Sequence, residues 1–581
     1  MAGNQVQNGH TQKISLKVDT LRHQHIYDLA ELCVRHGIRD AVICPGSRSA
    51  PLALAFGNHP AIRTHVQPDE RSAAFIALGI AKATGLPTVL ICTSGSAALN
   101  FAPAVAEAYY QQIPLLVCSA DRPQEWIGQR DGQTIDQSGI FGKQVKQEFH
   151  VHTDDNPDRY WIANRMMNQA IGLSVESPKG PVHLNFPFRE PLYPAPEINV
   201  KYGDPRVIRT LVPVVSPDRM QIRSLKVSLS SVSKILLVAG QADPDGHLPS
   251  SLMKFLRGYP AAMIGEAVSN LHGIPEMITT ADLFLGEMSA EKQAELRPDL
   301  LITWGDGIIS RHIRTFLRRF PAKEHWHIQV AGPVADTFMG LTRIIRCEPA
   351  HFFKLMELKP TPKRHAFPSR WKKYEKLTRK AVRFTDGSEP EWVSAIMDRI
   401  PPDHALHLAN SLSVRYANLV FGGRLNPAIK VFSNRGTSGI DGCTSTAVGY
   451  HRASGQPCVL LTGDVAFFYD RNAFWPSAPG PGFKVCLLNN SGGQIFNMID
   501  GPKDRKEARK LFIGDQPLDA RHLCSESGIH YIDGRSVNGI KEALDEFFKP
   551  RSVATVLEIF TEPDENRKTF EALKNIIRSI L

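Results

Sequence analysis

Short, almost purely apolar runs recur along the chain, each stopping at glycine, proline or an oxygen-bearing side chain. They read DAVICPG, PTVLICTSG and PLLVCSAD near the start, KILLVAGQ, AAMIGEA, DLLITWGDG and HWHIQV in the middle, and VLLTGD and KVCLLNN toward the end. Runs of this length without a polar face predict strands covered on both sides, and the helix-length stretches between them predict crossover connections. The pattern is that of α/β protein built on parallel sheets. Three blocks separate. The first spans residues 1–195 and runs into the proline-rich linker FPFREPLYPAPEINVKYGDP; the second spans 215–355; the basic stretch KPTPKRHAFPSRWKK precedes the third, 375–581. Ligands of open parallel sheets bind beyond the carboxyl ends of the strands, so chemistry is expected where the apolar runs of the outer blocks stop. No repeat and no low-complexity segment is visible.

At 581 residues, 42% hydrophobic and 22% charged, the chain has the make-up of a soluble globular protein with more than one core. The segment MAGNQVQNGHTQKISLKVDT lacks the apolar centre of a signal peptide, and no stretch of about 18 apolar residues offers a membrane span, so a cytoplasmic protein is expected. Nine cysteines without CxxC spacing, several of them closing apolar runs, read as reduced buried thiols rather than zinc ligands or disulfides. A net charge of +10 raises the question of a nucleic-acid partner. The basic residues are dispersed, and their local concentrations, PKRH, SRWKKYEKLTRK and KDRKEARK, are small and mixed with acids, so that class is set aside in favour of anionic small molecules.

Candidate chemistry concentrates between Leu460 and Phe496. Asp464 and Asn490 lie 26 residues apart, the length of one strand–helix–strand crossover, so a carboxylate and an amide oxygen can leave neighbouring strand ends together. Hard oxygens suit Mg²⁺, and Gly463, Gly492 and Gly493 let the backbone approach a diphosphate. The plain alternative is that GD and NN are ordinary turn dipeptides. Glu70, in PDERSAAFIALGIAKATG, opens a helix rich in alanine, where it is either a dipole-favoured acid or a functional carboxylate. Ser47 and Arg48 in CPGSRSAPL, Arg122 and Gln133 in SADRPQEWIGQRDGQT, and Ser411, Arg415 and Arg435 in NSLSVRYAN and SNRGTSGIDG all sit in turn contexts. A lone arginine there would be a surface residue; four beside one site point to ligands with more than one carboxylate. Ile440, between Gly439 and Asp441, is an apolar residue at a tight turn. TSGSAALN, at 93–100, offers a helix N-terminus that is capped or open to a polar ligand.

In order along the chain, CPGSRS-PL, DERSAAF-ALG-AKATG, TSG-A-N, ADRP, NS-R, SNRG-SGIDG-STA-G, GD-F-YD-NA and NN-GGQIF resemble the 2-succinyl-5-enolpyruvyl-6-hydroxy-3-cyclohexene-1-carboxylate synthase (MenD) family of menaquinone biosynthesis. These are thiamine-diphosphate enzymes, whose usual GDG…NN pattern here has Val465 in its third position. The resemblance runs from about residue 20 to 500 and is loose in the middle block. It implies a transferase with pyrimidine-binding, central and pyrophosphate-binding domains (1–195, 215–355 and 375–581), forming a homodimer or homotetramer with active sites between subunits. It implies that 2-oxoglutarate is decarboxylated and its remaining four-carbon unit added to isochorismate. Glu70 would hydrogen-bond the aminopyrimidine of thiamine diphosphate and promote its activation, and Ile440 would hold the cofactor bent. Ser438, Gly463, Val465, Ala466, Asn490, Gly492 and Gly493 would line the cofactor, with Asp464, Asn490 and the Gly492 carbonyl binding Mg²⁺ or Mn²⁺. Ser47, Arg48, Arg122, Gln133, Ser411, Arg415 and Arg435 would meet the substrates, beside an apolar wall of Ile495 and Phe496. Gly132 stands where some relatives carry asparagine, and Arg311 in the central block is a candidate anion contact. The nearest alternative is another thiamine-diphosphate carboligase or decarboxylase of the acetolactate synthase type.

Overall fold

The apolar runs are strands buried on both faces: Val89 to Cys92, Leu236 to Ala239 and Cys458 to Leu461 are all 0–1% exposed. A computed structural model describes residues 23–153, 156–194, 201–275, 277–358, 366–422, 425–499, 501–502 and 505–581. Residues 1–22, with the segment read as lacking a signal peptide, lie outside it, as do 195–200 and 359–365 at the two predicted boundaries. The strands form three parallel sheets flanked by helices, the α/β class expected.

In spatial order the first sheet is Arg63–Val66, Asp40–Ile43, Thr88–Cys92, Leu115–Asp121, Val182–Pro187 and Glu148–His150. The central sheet is Arg343–Ile345, Glu324–Ile328, Leu300–Trp304, Ile235–Ala239 and Ala261–Gly265. The third is Lys430–Ser433, Ala405–Leu408, Cys458–Gly463, Phe483–Asn489, Thr555–Phe560 and His530–Asp533. Counted along the chain, both outer sheets have the order 2-1-3-4-6-5. The fold therefore contains a repeat that residue identity does not reveal.

One helix pair lies at the centre of the contact between the outer sheets. Glu70–Thr84 starts at Asp69, whose carboxylate caps the Ser72 N–H, and ends at Gly85 in the left-handed region, φ 70°. Ser72 to Ala81 are all buried, as are Cys443 to His451 of the helix Cys443–Ser454. The first helix is apolar on most of its faces, while the second helix is buried through small side chains, Thr444, Ser445, Thr446 and Ala447 among them. They touch backbone to backbone: a Cβ on Gly79 would lie 2.0 Å from the Thr446 carbonyl oxygen, and one on Gly449 2.1 Å from that of Ile76. Only glycine allows that approach. The central and third sheets share a continuous apolar cluster that includes Leu237, Trp304, Leu406, Leu461 and Ile559.

All nine cysteines are free and buried. Among the described residues no helix is long and apolar enough to cross a membrane.

Candidate active site

In the third sheet the strand order reverses between Ala405–Leu408 and Cys458–Gly463, the crevice where such sheets take ligands. Strands Cys458–Gly463 and Phe483–Asn489 are parallel neighbours with Gly463 opposite Leu488, so Asp464 and Asn490 emerge from adjacent carboxyl ends. Asp464 is 2% exposed, and its carboxylate accepts the Gln516 side-chain N–H at 2.6 Å. Burial raises its pKa to about 6, against the opposing effect of Gln516 and of the Val465 and Gly492 N–H groups.

Asn490 is 6% exposed and donates its side-chain N–H to Glu389 at 2.7 Å. Its Oδ1 is buried and has no partner among the described residues. Glu389 is itself fully buried, and burial lifts its pKa to about 7 although the Asn490 side chain and the Thr561 hydroxyl donate to it. A buried polar atom without a partner calls for one. A carboxylate beside an orphaned amide oxygen is a hard-oxygen set that a cation such as Mg²⁺ would satisfy. The Gly492 carbonyl accepts the Gln494 N–H at 2.9 Å, which leaves one lone pair for a ligand. Gly492 has φ 147°, and a Cβ there would come within 2.9 Å of Ile513 Cγ2, so the turn requires glycine. Gly493 is tied to the Ile513 carbonyl at 2.7 Å. Among the described residues no cluster of three or more His, Cys, Asp or Glu is arranged for a metal.

The segment 434–442 closes this crevice. The Asn410 side chain donates to the carbonyls of Asn434 and Gly439, both at 2.6 Å, and its Oδ1 accepts from Arg435 at 3.1 Å. Ile440 packs on Ala409, Cys443 and Ala466, beside the half-buried Val465. Partial burial lowers the Arg435 pKa, with Glu266, Arg314 and Glu107 as its charged neighbours, and its Nε has no partner among the described residues. Arg415 donates to the Ser411 carbonyl at 2.5 Å and has Arg435 and Arg314 nearby. Asp282, Glu266 and Glu107 stand among these three guanidiniums, whose forks remain suited to a carboxylate ligand. Arg314, on the helix Arg311–Arg319, was not singled out from sequence; Arg311, one turn earlier, is exposed. Ile495 packs against the shared core, and the Phe496 ring lies 5.9 Å from Phe512.

On the first sheet, Arg48 is 7% exposed, donates to the Phe188 carbonyl at 3.1 Å and pairs with Glu190 at 3.4 Å. Burial lowers its pKa, and the neighbouring Arg122 adds to the effect. Arg122 pairs with Asp131 at 3.2 Å and donates to the Gly132 carbonyl at 2.9 Å. Ser47 and Gln133 are exposed, and the Gln133 backbone abuts Gly95 of TSGSAALN. A cavity of about 450 Å³ lies at these strand ends, lined in part by Asp121, Arg122, His150 and Arg189.

Glu70 is half-buried, and burial raises its pKa. Its neighbours bind the third-sheet side: Gln67 donates to the Asn472 carbonyl at 3.0 Å, Arg71 to that of Tyr469 at 2.7 Å, and Asn472 to Asp69 at 2.6 Å. Among the described residues no hydrogen bond or ion pair joins Glu70 to Asp464, Asn490 or Ile440. Of the nine non-glycine described residues with positive φ, four stand at the candidate site: Gln133, Ser411, Ser438 and Ser491. Such conformations are costly and gather where ligands are held. Glu389, Gln516, Asn410 and Glu107 went unnoticed in the sequence, because each is defined by a partner distant in the chain or by a turn.

Residues 27–140 match the model of the thiamine pyrophosphate enzyme N-terminal TPP binding domain. Over 96% of its length the chain is 43% identical to a 2-succinyl-5-enolpyruvyl-6-hydroxy-3-cyclohexene-1-carboxylate synthase of Cytophaga hutchinsonii, covering 99% of that protein. Identity to the proteins of the same name is 36% in Phocaeicola vulgatus and 35% in Bacteroides fragilis, each over 95% of this chain and 99% of the relative.

Proposed function

The chain belongs to the 2-succinyl-5-enolpyruvyl-6-hydroxy-3-cyclohexene-1-carboxylate synthase family, and from that premise we propose how its residues divide the reaction. It is a thiamine-diphosphate-dependent transferase of menaquinone biosynthesis: 2-oxoglutarate loses CO₂ and its four-carbon remainder joins isochorismate. Thiamine diphosphate, when bound, supplies the electron sink for that decarboxylation. The observation that carries the assignment is the unpartnered Oδ1 of Asn490 beside the buried Asp464, at the strand-order reversal of the third sheet.

Asp464, Asn490 and the Gly492 carbonyl would hold Mg²⁺ or Mn²⁺ with the diphosphate, and Gly463, Val465, Ala466, Gly493 and Ser438 would line it. Ile440, backed by Ala409, Cys443 and Ala466, would press on the cofactor from a fixed base. Glu70 would bond a pyrimidine ring nitrogen; a carboxyl biased by burial toward its protonated form is suited to share a proton there. Arg415 and Arg435 with Ser411 on one side, and Ser47, Arg48, Arg122 and Gln133 on the other, would neutralise the carboxylates of the two substrates. Ile495 and Phe496 would form the apolar wall.

On this reading 1–195 is the pyrimidine-binding domain, 215–355 the central domain and 375–581 the pyrophosphate-binding domain. Two chains would complete each site, as a homodimer or a pair of dimers. Nine free, buried cysteines support a reducing, cytoplasmic setting. The test is to supply thiamine diphosphate, Mg²⁺, 2-oxoglutarate and isochorismate and to follow isochorismate. Its consumption, dependent on all four, is expected; no loss with folded protein would overturn the assignment.

A further inference from the structure

Segment 434–437 presents Arg435 at the third sheet, yet a tether of three hydrogen bonds comes from the first. Glu107, on the helix Ala102–Tyr110, is 1% exposed. One carboxylate oxygen accepts the Gly436 N–H at 2.8 Å and the Gln111 side-chain N–H; the other accepts the Thr437 N–H at 2.6 Å and the Thr437 hydroxyl. Four donors converge on one buried carboxylate, and the two amides among them are the pair directly after Arg435. Charge-assisted bonds of this kind are the strong ones. The fit is close, since a Cβ on Gly436 would lie 2.8 Å from the Glu107 carbonyl oxygen. Gln111 extends the network to the central sheet, accepting from Gln241 at 3.1 Å and from Lys82 at 2.7 Å, while Gln241 also donates to the Ser433 carbonyl at 2.9 Å.

Arg435 is thereby fixed at both ends. Glu107 holds the backbone that follows it, and Asn410 holds its guanidinium at 3.1 Å. The Nε between them is buried and without a partner among the described residues, so the fork is set in place with donor capacity to spare.

We propose that Glu107 is a positioning residue for substrate recognition: by clamping the Gly436 and Thr437 amides it aims Arg435 at a substrate carboxylate, so that the first sheet sets the anion geometry of the third. This rests on the reading of Arg435 as a substrate contact.

Glu107→Gln keeps the volume but turns an NH₂ group toward N–H donors, leaving at least one of the two amides without an acceptor. Hydrogen exchange of the peptide spanning 434–440 should quicken in this variant while that of Cys443–Ser454 stays unchanged. With the cofactor saturating, KM for a carboxylate substrate should rise about tenfold with a much smaller change in kcat. In an Arg435→Ala background the same substitution should add less than about twofold, because its effect runs through Arg435. Unchanged exchange, or the full KM effect persisting without Arg435, would overturn the proposal. If wild-type protein consumes no isochorismate, the functional reading fails, while the exchange measurement still judges the clamp. Should Glu107→Gln not fold, Thr437→Val removes the hydroxyl donor alone; a smaller KM rise that vanishes with Arg435→Ala is expected, and no rise refutes.

Discussion

Asn490 gives a side-chain N–H to the carboxylate of Glu389 at 2.7 Å, and that one bond decides which atom of its amide is left for a ligand. With Nδ2 committed to Glu389, Oδ1 is the buried atom without a partner among the described residues. Partners of this kind orient metal ligands and are worth about 10–100-fold in affinity. Glu389→Leu should therefore weaken Mg²⁺-dependent binding of thiamine diphosphate by about that factor, and Glu389→Gln, which keeps an acceptor, by less. Calorimetric titration at a fixed Mg²⁺ concentration below saturation measures both; equal affinity in all three proteins would remove Glu389 from the role.

Glu70 carries a carboxyl whose pKa burial has raised, with no side chain paired to it among the described residues. Glu70→Gln should leave circular dichroism and the melting midpoint intact while lowering turnover by about 10²-fold or more, the scale of acid–base assistance. Near-normal turnover would rule out the assignment.

The helix pair across the outer sheets tolerates no added methyl. Gly79→Ala sets a Cβ 2.0 Å from the Thr446 carbonyl oxygen, and overpacking of this kind costs about 1–3 kcal/mol or more. Gly57→Ala, at the end of the helix Ala50–Gly57 with nothing within 4 Å of the new Cβ, should instead be neutral or stabilise by about 0.4–1 kcal/mol. Urea unfolding midpoints compare them, and a Gly79→Ala protein as stable as wild type would contradict the backbone contact.

Asp470 is fully buried against the Ser445 N–H at 2.6 Å and hydroxyl at 2.7 Å, and burial pushes its pKa from 3.8 up to about 7. The folded chain thus holds a proton that the unfolded chain releases. That contribution is complete below 3.8 and is lost as the pH climbs toward about 7. Asp470→Asn does not titrate, and its amide can accept the N–H and donate to the hydroxyl oxygen. The melting midpoint of wild type relative to Asp470→Asn should accordingly decline between those pH values in cofactor-free protein. A difference that does not vary with pH would refute the shift.

The strands that carry the site could be read from the sequence because burial on both faces leaves uninterrupted apolar runs, and the GD and NN dipeptides mark where they stop. Edge strands gave no such run: Arg63–Val66 reads RTHV and Glu148–His150 reads EFH. Glu389 and Glu107 could not be found because their partners lie 101 and 329–330 residues away, and only folding brings them together. Arg311 and Arg314 share one helix, and nothing local tells which of the two faces Arg415 and Arg435. The matching order of the outer sheets was hidden because Val, Ile and Leu interchange freely in doubly covered strands.

That matching order gives the contact at Gly79 and Gly449 a further meaning. Each helix follows the second strand of its own sheet, Arg63–Val66 or Lys430–Ser433, so the two are counterparts. Gly79 meets Thr446 while Gly449 meets Ile76, the same three-residue step on both sides. Such reciprocity is the mark of an isologous interface around a dyad, here folded into a single polypeptide. The two glycines thus stand at equivalent points of one pseudo-twofold contact, and a side chain added at either would press on the other half.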